Sequence, residues 1–129
     1  VGNINIDSLV KFHESQEKTH NTYATVTATH PSSKYGQIVA DKNKIMTDFN
    51  QYSALEDYIN GGFMVFSQKA KRYFAEDEMI EDTIIRMVDN KRVSQYIHKG
   101  FWHSCDTMKD VKNLNKLWDN ERPWTKLEN

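Results

Sequence analysis

Between residues 80 and 118 the spacing of the apolar side chains changes twice, and this limits the possible folds more than any other feature of the chain. Ile80, Ile84, Ile85, Met87 and Val88 recur at intervals of three and four, the period of a helix with one buried stripe. The run "RVSQYIHKGFW" that follows alternates as a strand does. Met108, Val111, Leu114, Leu117 and Trp118 then return to helical spacing, in a helix of about three turns that ends before "ERPW". Helix, strand and helix in such close succession bury their apolar faces only by stacking in layers, which predicts an α/β or α+β structure.

The upstream sequence adds elements of both kinds. "NINIDSLVKFHESQEK" predicts a helix over about 7–17, with Asp7 as its N-cap and Leu9, Val10, Phe12 and His13 at helical spacing. "TYATVTATH" is rich in β-branched residues and predicts a strand that His30-Pro31 stops. "YGQIVADKNKIMTDF" reads as two short strands around a polar turn, Asp41-Lys42-Asn43. "YINGGFMVF" reads as a buried strand, apolar on both sides of its glycines, and "SQKAKRYF" as one more helix. No repeat, low-complexity tract or Pro/Gly-rich linker divides the 129 residues, so a single domain is expected.

Charge argues against two classes of partner. The net charge is −1, from 17 basic and 18 acidic residues that are scattered, so neither nucleic acid nor an anionic membrane surface is expected. Lys109, Lys112 and Lys116 form one stripe, which reads as a solvated helix face. No apolar run approaches the ~20 residues of a membrane span. The single cysteine cannot form an internal disulfide and suits a reducing compartment, with cytoplasm the expected location. The chain opens at "VGNINID" without a methionine, which suggests a processed product, an excised piece or an incomplete reading frame.

Two short stretches carry chemistry. In "KGFWHSCDTMKD", Asp106 falls between the expected strand and helix. It reads either as an N-cap worth ~1 kcal/mol or as a carboxylate at the C-terminal end of a strand, where open α/β sheets bind ligands. There a hard oxygen donor suits Mg²⁺ beside a phosphate. His103 and Cys105 share one face of the expected strand. A zinc site would need two further ligands, and neighbours on a strand do not face each other as nucleophile and base. In "NGG", Asn60 either opens a hairpin turn or presents its carboxamide to a ligand, with Gly61 and Gly62 allowing close approach. The acidic run "EDEMIED" reads as a helix start, and His13, His20, His30 and His98 as isolated surface or core residues.

Taken together, "INGGFMVF", "GFWHSCDTMKDVKNLNKLW" and the closing "RPW" resemble the second half of the sugar nucleotidyltransferases. Within that family the likeness is greatest to the glucose-1-phosphate cytidylyltransferase group. "VGNINIDSLVKFH" is similar to the segment after the family's Y-G-D-G turn, and "ATVTATHPSSKYGQI" to the next strand and loop, so the resemblance covers essentially the whole chain. It implies the C-terminal, sugar-binding part of a nucleotide-diphospho-sugar transferase (Rossmann-like) fold, with a mixed sheet and flanking helices. It implies that Asp106 is one of two aspartates holding Mg²⁺ against a triphosphate and that Asn60 bonds sugar hydroxyls. Gly61, Gly62, Gly100 and Trp102 would shape the sugar side of the cleft. The implied substrates are a sugar 1-phosphate and CTP, the products a CDP-sugar and pyrophosphate, and the implied assembly a homo-oligomer.

The chain departs from the family pattern at two places. The family's G-G-x-G-T-R loop and the first metal aspartate, in G-D-G, precede the matched segment, so residues 1–129 alone are expected to be inactive. Gln51 and Tyr52 stand where the family has the glutamate and lysine of F-x-E-K-P. Tyr52 would offer the sugar phosphate a neutral hydrogen bond in place of a charge-assisted one, about 0.5–1.5 against 1.5–3 kcal/mol. The alternative reading is a non-catalytic module that binds a sugar phosphate or promotes oligomerisation.

Overall fold

The computed structural model describes residues 1–31, 37–50 and 57–126. Helix α1 (Ile6–His20) starts at Asn5, whose side chain accepts a hydrogen bond from the Ser8 amide at 3.1 Å. Asp7, the expected N-cap, lies two positions after the cap in the first turn, where its charge still favours the helix dipole. Asn21 ends the helix in the left-handed conformation, φ 54°. Leu9 and His13 are its buried residues.

Strand β1 (Ala24–Thr29) follows and is buried along almost its whole length. β2 (Gln37–Ala40) and β3 (Met46–Asn50) form the expected antiparallel hairpin. Its turn is held by Asp41 Oδ1, which accepts from the amides of Asn43 (2.8 Å) and Ile45 (3.0 Å). β4 (Ile59–Phe66) pairs with β1 on one side only among the described residues, so it is half-exposed where a fully buried strand was expected. "SQKAKRYF" folds as a 3-10 helix, Gln68–Tyr73, in place of the expected α-helix, with Ala70 as its one buried residue and no side-chain cap at Ser67. Only Ala70 and the partly buried Tyr73 of this segment reach the core, too little for a longer helical stripe. α2 (Ile80–Asp89), β5 (Val93–Ile97), α3 (Met108–Asn120) and a 3-10 turn, Pro123–Thr125, complete the order.

The result is an α/β structure with a three-stranded mixed sheet, order β4-β1-β5, and flanking helices. One core cluster joins Tyr23, Ala24, Ala70 and Met87 with Phe66, Tyr73 and Val93 packed against it. That cluster lies where β1 and β5 begin and β4 ends. The opposite end of the sheet is defined by register: Ala28 of β1 faces Asn60 of β4 on one side and Ile97 of β5 on the other. Because β1 and β5 are parallel and β4 is antiparallel, this end gathers the C-terminal ends of two strands and the start of the third. No helix among the described residues is long and apolar enough to cross a membrane.

Candidate functional site

The carboxyl end of the β1–β5 pair is where three separate stretches meet. The first is Asn60–Gly62. Asn60 is exposed, and its Oδ1 accepts from the Gly62 amide at 2.8 Å, closing a local turn. Gly62 sits at φ +82°, where any other residue would be strained. Gly61 has a different reason to lack a side chain: a Cβ there would come within 3.2 Å of the Thr27 carbonyl and 3.4 Å of Thr29 Cγ2. With its oxygen engaged, the exposed Asn60 has its NH₂ group as its remaining donor.

The second stretch is the loop after β5. His98 is buried; its amide extends the pairing to the Ala28 carbonyl (2.9 Å) and its Nε2 lies 3.1 Å from the Phe101 carbonyl. Gly100 passes so close to its neighbours that a Cβ would stand 2.5 Å from Asn3 Oδ1 and 2.8 Å from His98 Cε1. Trp102 reaches back across the sheet end, and its Nε1 donates to the Gly61 carbonyl at 2.8 Å. That bond ties the two sequence motifs to each other. The third stretch, Val1–Asn3, pairs with this loop: the Asn3 amide donates to Phe101 O (3.1 Å) and Gly2 bridges Trp102. Asn3 Nδ2 also donates to the Lys126 carbonyl at 2.8 Å, which draws the C-terminal segment to the same place.

Asp106 follows four positions after Trp102. The expected N-cap role belongs to its neighbour. Thr107 Oγ1 accepts from the Asp110 amide (3.2 Å), and Asp110 Oδ2 accepts from the amides of Thr107 (3.0 Å) and Asp106 (3.2 Å), a complete capping box. The hydrogen bond with the Thr107 side chain is the largest influence holding the Asp110 carboxyl below its ordinary range. Relieved of capping, the Asp106 carboxylate is exposed and makes no hydrogen bond or ion pair among the described residues. The T-x-x-D pattern was present in the sequence and could have assigned the cap. His103 and Cys105 do not share a strand face, because β5 ends at Ile97 and both lie in the loop.

Aromatic packing fixes this loop from below. Trp124 stacks on Trp118 (centroids 6.1 Å, planes 18° apart) and packs on Phe101 at 5.8 Å, while the Arg122 guanidinium lies 4.6 Å from the Trp118 ring. The closing "RPW" therefore anchors α3 to the site loop. The structure thus brings Asn60, Gly61, Gly62, Gly100 and Trp102 together and sets Asp106 on the same loop; Gln51 and Tyr52 lie outside the described residues.

No family model matches the sequence. Individual proteins do. The chain is 31% identical over 122 residues to the Bacillus subtilis (strain 168) protein named "Probable glucose-1-phosphate cytidylyltransferase", covering 92% of this chain and 46% of that protein. Its curated relatives are glucose-1-phosphate cytidylyltransferases. The Salmonella typhi and Salmonella typhimurium (strain LT2) enzymes of that name are each 25% identical over 131 aligned positions, 99% of this chain and 49% of theirs. The chain thus spans about half the length of the curated cytidylyltransferases it matches.

A divalent cation can be weighed against the donors on the page. Among the described residues no group of three or more His, Cys, Asp or Glu converges. Mg²⁺ is commonly bound through only one or two carboxylates, with phosphate oxygens and water completing the shell. Asp106, a hard donor with no hydrogen-bond or ion-pair partner among the described residues, fits one of those positions.

Proposed function

We propose that this chain supplies the sugar-binding side of a nucleotidyltransferase that joins a sugar 1-phosphate, glucose 1-phosphate by its relatives, to CTP, giving a CDP-sugar and pyrophosphate. The observation that carries the reading is the Trp102–Gly61 hydrogen bond at 2.8 Å, which unites the two motifs at the carboxyl end of the parallel strands. In this reading Asn60 Nδ2 donates to a sugar hydroxyl, the open space at Gly62 lets the ligand approach the backbone, and Trp102 walls the sugar. Gln51 and Tyr52, outside the described residues, would offer the sugar phosphate neutral hydrogen bonds. Asp106 would hold Mg²⁺, which when bound neutralises phosphate charge. A sugar phosphate oxygen is already ionised and needs no general base, so the residues of this chain serve positioning and charge placement.

The remaining nucleotide contacts and the second metal carboxylate are assigned to the part of a complete enzyme that the relatives possess and the matched half does not contain. On that account the chain alone releases no pyrophosphate from CTP and glucose 1-phosphate with Mg²⁺. Cys105 is an exposed free thiol, and we place the activity in the reducing cytoplasm.

Calorimetric titration of the chain with glucose 1-phosphate tests the sugar site. Asn60→Asp preserves the oxygen that the Gly62 amide needs but removes the remaining donor, so the fold should stand while affinity falls roughly tenfold. Unchanged affinity in that variant overturns the assignment. Pyrophosphate release by the unmodified chain that disappears in Asp106→Asn would show the catalytic set to be complete within these residues.

The alternative, an oligomerisation module without catalysis, is supported by one observation. The β2–β3 hairpin leaves Ile38, Val39, Ile45, Met46 and Phe49 exposed, Ile38 at 62% and Phe49 at 56%.

A further inference from the structure

The end of the sheet opposite Asn60 concentrates positive charge around one buried aromatic ring. Tyr23, 6% exposed, immediately precedes β1. The guanidinium groups of Arg72 and Arg92 each lie 5.0 Å from its ring centroid and the Lys69 ammonium lies 5.8 Å away. These cations come from different parts of the chain, the 3-10 helix after β4 and the residue before β5, and the fold brings them to a single ring. Each contact with the ring face is worth about 0.5–2 kcal/mol to the cation that makes it. Among the described residues Glu17 alone pairs with the cluster, at 3.0 Å from Lys69. Lys71 adds a fourth cation and makes no ion pair there.

Two of the cations at the ring, Lys69 and Arg72, also wall a hollow; Arg92 and Tyr23 are not among its lining. Gln68, Lys69, Lys71 and Arg72 line an open space of about 460 Å³, enough for a small multiply charged anion. Arg72 is oriented by a hydrogen bond to the Tyr23 hydroxyl (2.9 Å), and Arg92 by one to the Asn21 carbonyl (3.0 Å). A held guanidinium such as that of Arg72 loses little freedom when it meets an oxyanion, and its donors match phosphate geometry. Gln68 adds a neutral amide at the rim.

We propose that this hollow is a second anion site, separate from the Asn60–Trp102 end, and that it binds a di- or polyphosphate group. The proposal does not depend on the nucleotidyltransferase reading. Its probe is inorganic pyrophosphate, titrated into the full chain in EDTA so that a divalent cation at Asp106 cannot contribute. Saturable one-to-one binding is expected, weakening as ionic strength rises. Lys71→Gln, which removes no hydrogen bond or ion pair among the described residues, and Arg72→Gln should each lower affinity about threefold to tenfold. A control variant with Lys109→Gln and Lys112→Gln loses two charges from α3 and should bind as the unmodified chain does. Absence of saturable binding at millimolar pyrophosphate overturns the proposal, as does equal weakening in the control, which would mark diffuse attraction. An intact affinity in Lys71→Gln together with a folded but unaltered Arg72→Gln would overturn it too.

Discussion

His13 shows how much one side chain can settle. The sequence presents it as an isolated surface or core histidine, and it is 4% exposed on the buried face of α1, where Nδ1 meets Thr25 Oγ1 at 2.9 Å and Thr25 in turn meets Ser94 Oγ at 2.8 Å. Its Nε2 is buried with no partner among the described residues. Burial is the dominant influence and holds the imidazole below its ordinary value of 6.5, with Glu17 and then Glu14 pulling the other way. The folded state therefore favours the neutral ring. The stability this contributes is whole above pH 6.5, where both states are neutral, and is lost as pH falls from there through the lowered folded value. Thermal melts taken downward from pH 7.5 should show a falling midpoint below 6.5, flattened in His13→Gln; parallel slopes for the two proteins would refute this. Asp106 makes the complementary point, since its carboxylate is left out of the cap that Thr107 and Asp110 form.

At the scale of elements, α3 depends on that cap. Thr107→Ala should cost about 1 kcal/mol in urea denaturation, whereas Asp106→Asn should leave stability within about 0.5 kcal/mol. A larger loss in Asp106→Asn than in Thr107→Ala would return the capping role to Asp106. The strands and long helices were readable because period-two and period-3.6 patterns are local: TVTAT, α2 and α3 form where the sequence puts them, but of the two apolar stripes only Met87 and Leu114 are buried, while Ile85, Val88, Met108 and Trp118 stay exposed. What the pattern missed depends on distant partners. β5 stops at Ile97 because the following residues turn to meet Asn3 and Gly61, the latter contact spanning 41 positions. The half-exposed β4 likewise reflects which strand lies beside it, a matter no window of eight residues contains. The residue types of the candidate site were thus visible in advance, while the tie between Gly61 and Trp102 was visible only in three dimensions.

For the molecule as a whole, the hairpin sets the expected solution behaviour. Two strands alone are marginal in water, and β2–β3 pairs with neither the three-stranded sheet nor another strand among the described residues. Its exposed apolar side chains should drive self-association, seen as a mass above 15.1 kDa by analytical ultracentrifugation at tens of micromolar. Ile38→Lys with Phe49→Lys should shift the protein to monomer; a monomeric unmodified chain at that concentration would exclude the idea. The central strand has its own consequence for the making of the protein. β1 leaves the ribosome before either neighbour, and its parallel partner arrives only 69 residues later, counted from Thr25 to Ser94. Loop closure over that distance delays the pairing. A translation product halted before Val93 would therefore carry the sheet's most buried strand with an open flank, a ready substrate for chaperones and for degradation.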